Sequence, residues 1–166
     1  MRKRNKWWLW VVAALIALCL GTCVGLGVYR GRYYTSFRQY YTLICVGRAY
    51  LLYQSEYGIG PTSVPDLLRL GLLKRSDDGE YVDTRGGSHG WRTSYADAMR
   101  VRLLDPGDAS AYEWRGDTLV NKATGRAFAL VDIDDPSVRP EHVEHANRYL
   151  AKEWLKLMNG EPLPDW

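Results

Sequence analysis

Charge is what the first part of this chain lacks. From Trp7 to Tyr29, twenty-three residues pass without a charged side chain, between Lys6 and Arg30. That absence excludes an ordinary amphipathic surface helix. At about 1.5 Å per residue the run is long enough to cross a hydrocarbon core of about 30 Å, so it reads as a transmembrane helix. Cysteine is scarce: Cys19 and Cys23 fall inside the run and Cys45 stands alone after it. Three cysteines so placed exclude a disulfide framework, and the remaining domain of about 135 residues is large enough to fold without one. Surplus basic charge is missing too. The chain carries +3, but four of its 22 Lys and Arg lie in the first six residues, leaving 18 against 19 Asp and Glu beyond the run. No basic surface remains for a phosphate backbone, so no nucleic-acid partner is expected. There is no internal repeat, no Gly-x-Ser-x-Gly elbow and no cysteine pair followed by histidine. The expectation is a non-catalytic protein without a cofactor.

What the run does contain is a pattern of small residues. Ala13, Ala17, Gly21 and Gly25 recur every four residues and form one ridge, the arrangement that lets two helix backbones approach closely in lipid. Gly27 and Gly31 repeat the spacing on a neighbouring face. Before the run, Met1 to Lys6 is a basic tail, followed by Trp7, Trp8 and Trp10 at the level tryptophan prefers in a bilayer. Short basic segments stay cytoplasmic, which predicts an inner (cytoplasmic) membrane protein with its N-terminus inside and residues 30–166 periplasmic or otherwise extracytoplasmic. Arg30, Arg32 and Arg38 on the far side weaken the charge asymmetry. A cleaved signal peptide would have an apolar core of only about 7 to 15 residues. Gly25 and Gly27 would nonetheless suit a cleavage site. Leu18 before Cys19 and Thr22 before Cys23 speak against a lipid anchor.

Residues 30–166 read as one α+β domain. Apolar positions from Phe37 to Leu52 have helical spacing, so the membrane helix is predicted to continue as an amphipathic helix to Tyr57, stopped by Gly58. Ser63 with Asp66, and Pro65 in the first turn, open a short leucine-rich helix. Leu72 and Leu73 lead outward to a turn at Asp77 to Gly79, and Glu80 to Thr84 has strand propensity. Tyr95 to Leu104 fits a short helix, with a strand over Met99 to Leu104 as the alternative. Tyr112 to Trp114, Thr118 to Val120 and Arg126 to Val131 predict a small antiparallel meander. Pro140 opens a C-terminal amphipathic helix ending at Asn159, with the stripe Val143, Ala146, Leu150, Trp154 and Leu157.

Candidate chemistry is sparse. His142 and His145, one turn apart, with Asp132, Asp134 and Asp135 upstream, offer a weak zinc or calcium set. They lack the His-Glu-x-x-His pattern of metalloproteases and the glycine and distant glutamate of a calcium-binding helical loop. The glycine-rich segment Gly86 to Trp91, with His89, lacks the lysine and hydroxyl of a phosphate-binding loop. Cys45, between Ile44 and Val46 in a helix, reads as a packing thiol. Aromatic side chains are abundant, with seven Trp and twelve Tyr. Tyr29, Tyr33, Tyr34, Phe37, Tyr40 and Tyr41 cluster where the helix leaves the bilayer. They suit either an interfacial belt or a contact strip on a neighbouring membrane subunit.

The order Leu51-Leu52-Tyr53-Gln54-Ser55-Glu56-Tyr57-Gly58, then Pro61-Thr62-Ser63 and the leucine-rich Asp66 to Leu73, follows a membrane helix. It resembles the type IV pilin-like proteins, in particular the major pseudopilins of type II secretion. Their helix commonly ends in a tyrosine, an acidic residue and a glycine before Pro-Thr and a short leucine helix. The resemblance covers about residues 44 to 73 and implies a pilin-like exported domain. The prepilin peptidase site, a glycine followed by Phe-Thr-Leu-Ile-Glu, is absent. The membrane segment has no glutamate, and a long C-terminal helix departs from the family pattern. The leading expectation is a single-pass subunit docked on integral membrane proteins. A pilin-like secretion component and a membrane-tethered metal-dependent enzyme are the alternatives.

Overall fold

The computed structural model describes residues 7–84, 92–135 and 138–163. The chain divides into two compact units, Met1–Thr35 and Ser36–Trp166. One helix, α1 (Trp7–Tyr57), runs through the boundary. It contains no proline, and it ends where Gly58 takes φ +72° and donates its N–H to the Gln54 carbonyl at 2.9 Å. That left-handed position suits glycine best. In the first unit, every described side chain from Val11 to Tyr29 is exposed. Among the described side chains the longest unbroken uncharged stretch in this unit is Leu15 to Tyr29. No described helix is by itself long and apolar enough to cross a membrane.

The second unit is α+β. It is built around residues of α1 that the periodicity assigned to an amphipathic helix, and here the structure corrects the expectation. Every residue from Thr42 to Leu51 is buried, so this stretch has no solvent face. A helix enclosed on all sides needs neighbours on all sides. One is α4 (Pro140–Met158), which comes so close that a Cβ placed on Gly47 would sit 2.2 Å from Leu150 Cδ1. Another is an antiparallel sheet of β1 (Leu73–Arg75), β2 (Tyr81–Thr84) and β3 (Arg92–Ser94), with Leu73 opposite Thr84 and Val82 opposite Thr93. The Thr42 and Thr93 hydroxyls share a buried hydrogen bond between α1 and β3. Tyr50 packs its ring against Gly60, where a Cβ would fall 2.2 Å from the phenol oxygen.

The remaining elements close the same core. Short helix α2 (Val64–Arg69) starts at Ser63, but the Ser63 side chain does not cap it. Instead the Thr62 and Ser63 hydroxyls both donate to Asp66 Oδ2, at 2.7 and 2.8 Å. Leu72 and Leu73 do not lead outward: both are buried, and Leu73 begins β1. The segment with two competing expectations holds both elements, α3 (Tyr95–Ala98) and then β4 (Val101–Leu103). The expected meander is a hairpin only, β5 (Tyr112–Arg115) with β6 (Thr118–Asn121). Beyond it, Ala127 makes a single bridge to Val120, and the third strand is β7 (Val131–Ile133), which pairs with β4 rather than with the hairpin. Trp154 of α4 fills the space between, with ring centroids 5.5 Å from Tyr112 and 5.0 Å from Phe128.

Asn147 holds the outer edge of β7. Its Oδ1 accepts from the backbone N–H groups of Leu130 (2.7 Å) and Val131 (3.0 Å), and its Nδ2 donates to the carbonyls of Val131 (2.8 Å) and Val143 (3.0 Å). A leucine there has similar volume and leaves two buried donors without acceptors, each costing about 1–3 kcal/mol. Asn147→Leu should therefore lower the stability of the full chain in detergent by about 3 kcal/mol in urea titrations. Glu144→Gln on the exposed side of α4 should leave it unchanged. Equal midpoints for wild type and Asn147→Leu would refute this role for the amide.

Candidate functional site

The ridge of small residues is open in the structure. Ala17, Gly21 and Gly25 are exposed, and a Cβ on Gly21, Gly25 or Gly27 meets nothing within 4 Å. The Ala13 side chain lies outside the described ones, as do those of Tyr33 and Tyr34. Thr22 does not add a polar group to the surface, because its hydroxyl donates back to the Cys19 carbonyl at 2.8 Å. Large apolar neighbours are turned outward as well, among them Leu18, Leu20, Val24 and Leu26, each more than 60 % exposed. In sequence, the four-residue spacing of Ala13, Ala17, Gly21 and Gly25 continues through Tyr29, Tyr33, Phe37 and Tyr41.

Within the second unit the aromatic strip continues on the residues that open it. Phe37 is 41 % exposed and lies 5.8 Å from Tyr41 between ring centroids, and Tyr40 lies 5.7 Å from Tyr41. Partial burial, with Tyr41 beside it, raises the Tyr40 phenol. Phe37 and Tyr40 form one wall of an open groove of about 350 Å³, whose other wall is Glu141, His142 and His145 from the first turns of α4. The structure thus joins two sets of residues that the sequence suggested separately. An aromatic wall facing two imidazoles is suited to receiving a flat or apolar side chain with one polar edge.

The aspartates of the candidate metal set are elsewhere. Asp132 pairs with Arg102 at 2.5 Å across β4 and β7, Asp135 pairs with Arg100 at 2.8 Å, and Asp134 is exposed. Among the described residues no group of three or more His, Cys, Asp and Glu is placed to hold a metal ion. The segment Gly86 to Trp91 with His89 lies outside the described residues.

Two polar features were not foreseen. Arg48 is buried on α1, facing Tyr149 and Glu153 of α4, which offset the loss of hydration that lowers its pKa. Lys156 Nζ lies 3.6 Å from Glu153 Oε1. Sequence spacing alone cannot distinguish an arginine on a solvent face from one enclosed by a second helix. The second feature is a tether: Arg38 Nε donates to Asp97 Oδ2 at 2.5 Å and its Nη2 to Ser94 Oγ at 3.2 Å, tying α1 to the start of α3. Set against protein-family models, curated proteins and solved structures, the chain matches none of them.

Cys45 has the character expected of a packing thiol. Burial, followed by the nearby Asp83 carboxylate, pushes it up from 9.0 to about 12. Burial likewise pushes the phenols of Tyr50 and Tyr149 up from 10.0 to about 12. In each case the folded chain holds its proton more tightly than the unfolded chain. The resulting stability is fully present below pH 9 and is lost as pH rises toward about 12. The melting temperature of the full chain in detergent should therefore fall over that interval. Cys45→Ala should shift the onset of the fall upward, toward the tyrosines' range. A melting temperature flat across the interval would contradict the burial of these groups.

Proposed function

We propose that this chain is a non-catalytic, single-pass membrane subunit that docks on and stabilises a larger membrane protein complex. One observation carries the reading: an uncharged run of twenty-three residues whose described side chains are all turned outward. Apolar surface of that extent is stable only against lipid or another apolar surface. The basic tail sets its N-terminus in the cytoplasm and residues 30–166 in the periplasm or its equivalent. Bilayer lipid covers most of the run, and a helix of an integral membrane protein packs along Ala13, Ala17, Gly21 and Gly25. The exposed ring of Phe37 and the groove it shares with Tyr40 and the α4 histidines offer the complex a contact surface on the α+β unit itself.

A pilin-like secretion component is the second reading. It is favoured by the Tyr57-Gly58 stop and Pro61-Thr62-Ser63 turn after a helix whose second half is the spine of an α+β unit. It is disfavoured by the missing peptidase site and glutamate. A membrane-tethered metal enzyme has less in its favour, because His142 and His145 lie with aromatic rings and not with the aspartates.

The subunit reading is tested at the ridge. Leucine at positions 21 and 25 adds bulk where backbones are to meet, and each glycine has room for a side chain in the isolated chain. Gly21→Leu/Gly25→Leu should leave the protein in the membrane and folded, yet remove its partner from a gentle-detergent affinity purification. Undiminished recovery of the partner would refute the ridge as the contact.

A further inference from the structure

β4 is an edge strand, and its chemistry is unfinished. In an antiparallel pair, successive residues turn their N–H and C=O alternately toward the partner and away from it. The Leu104 N–H donates to the Leu130 carbonyl at 2.9 Å, and Arg102 is opposite Asp132, so Leu104 and Arg102 face β7. Val101 and Leu103 therefore direct their N–H and C=O the other way. Among the described residues no strand pairs with β4 on that side, and no backbone bond reaches these groups there. The Val101 side chain is turned into the core, while Val101 and Leu103 both line the open groove on this side of the strand. The fold closes comparable edges elsewhere. Asn147 supplies the outer side of β7, while on β6 the Phe128 N–H donates to the Leu119 carbonyl at 2.7 Å.

Beside the open edge lies a groove of about 490 Å³, lined on its far side by Thr62 to Pro65 and also by Met99. The Ser63 backbone there is itself extended, with φ −156° and ψ 158°. We propose that this groove receives an extended peptide segment of a partner protein, which adds to the sheet as a strand paired with Val101 and Leu103. The occupant is a polypeptide because a repeat of one donor and one acceptor on alternate residues is matched by another strand. Val64, Pro65 and Met99 suit apolar side chains on one face of the added strand. The Thr62 and Ser63 hydroxyls and the Arg102–Asp132 pair suit polar ones on the other. The inference rests on the subunit reading only for where the partner resides; the pairing chemistry is independent of the bilayer.

The test uses the full chain in detergent and a phage-displayed library of random octapeptides. Enriched peptides should alternate apolar and polar residues. Leu103→Pro removes one outward N–H and leaves the β7 ladder intact, a position where an edge strand tolerates proline. It should weaken the selected peptides by about tenfold or more while melting like wild type. Should that variant misfold, amide exchange on the wild type decides. Val101 and Leu103 should exchange faster than Arg102 and Leu104, and slow by about tenfold when peptide is added. Failure to enrich alternating peptides, or peptides that bind without protecting Val101 and Leu103, overturns the proposal. A concentration-dependent dimer abolished by Leu103→Pro assigns the edge to a second copy and overturns it too. None of these outcomes touches the small-residue ridge, so the two readings fail separately.

Discussion

Between Thr42 and Leu51, α1 has no face turned to water, and the rest of the second unit is arranged to provide that enclosure. Close approach is the first requirement. Gly47 lets Leu150 of α4 press against the α1 backbone, and Gly60 makes room for the phenol end of Tyr50 at the turn that follows. Satisfying the polar groups caught inside is the second. Thr42 meets Thr93, Cys45 accepts from the Thr84 backbone, and Arg48 is answered by Tyr149 and Glu153. Thr84 and Thr93 sit on neighbouring strands of one sheet, β2 and β3, and Tyr149 and Glu153 on α4, so that sheet and that helix are both held to this stretch. Burying a single large apolar side chain stabilises by about 1.5–3 kcal/mol. Leu43, Ile44, Val46, Tyr50 and Leu51 are all within about 1 % exposure, so this stretch is a large contributor to the fold's stability.

The first part of the same helix has the opposite character. Its described apolar side chains are outward, its described glycines have open space above them, and among the described residues of its own unit nothing covers them. One helix thus presents two kinds of surface in sequence: a lipid-compatible one, then one enclosed by protein. The aromatic residues fall between. Phe37 and Tyr40, with the histidines of α4, form a groove on the second unit only eight residues along the chain from Tyr29. That groove offers aromatic and imidazole surface with Glu141 at its side, so shape and apolar packing dominate it.

Much of this was legible in the residues. The long helix, the stop at Gly58, the leucine helix, the hairpin around Gly116 and the final helix from Pro140 all carry local signals, namely glycine at positive φ, proline in a first turn and regular apolar spacing. What escaped depends on distant neighbours. β1 and β3 are three residues each, and Lys74 and Arg92 within them give no strand propensity. Their pairing to β2 makes them strands. β7 has the right residues, but its partner β4 lies some thirty residues away in sequence, Arg102 opposite Asp132. An amphipathic reading of α1 failed because enclosure from all sides is a property of the neighbours, not of the helix. At the candidate site, His142 and His145 were visible as a pair. Their company with Phe37 and Tyr40, rather than with Asp132 and Asp135, was set by how α4 packs on α1.

The central claim is that the run Trp7 to Tyr29 stays in the bilayer of the mature protein and holds the α+β unit on the far side. Carbonate extraction of membranes followed by protease digestion of intact spheroplasts tests it most directly. The account predicts that the protein remains in the membrane pellet and that protease added outside removes the α+β unit, leaving a short fragment that retains the basic N-terminus. Recovery of the intact chain in the carbonate supernatant, or a domain that is digested only after the membrane is opened, would contradict it.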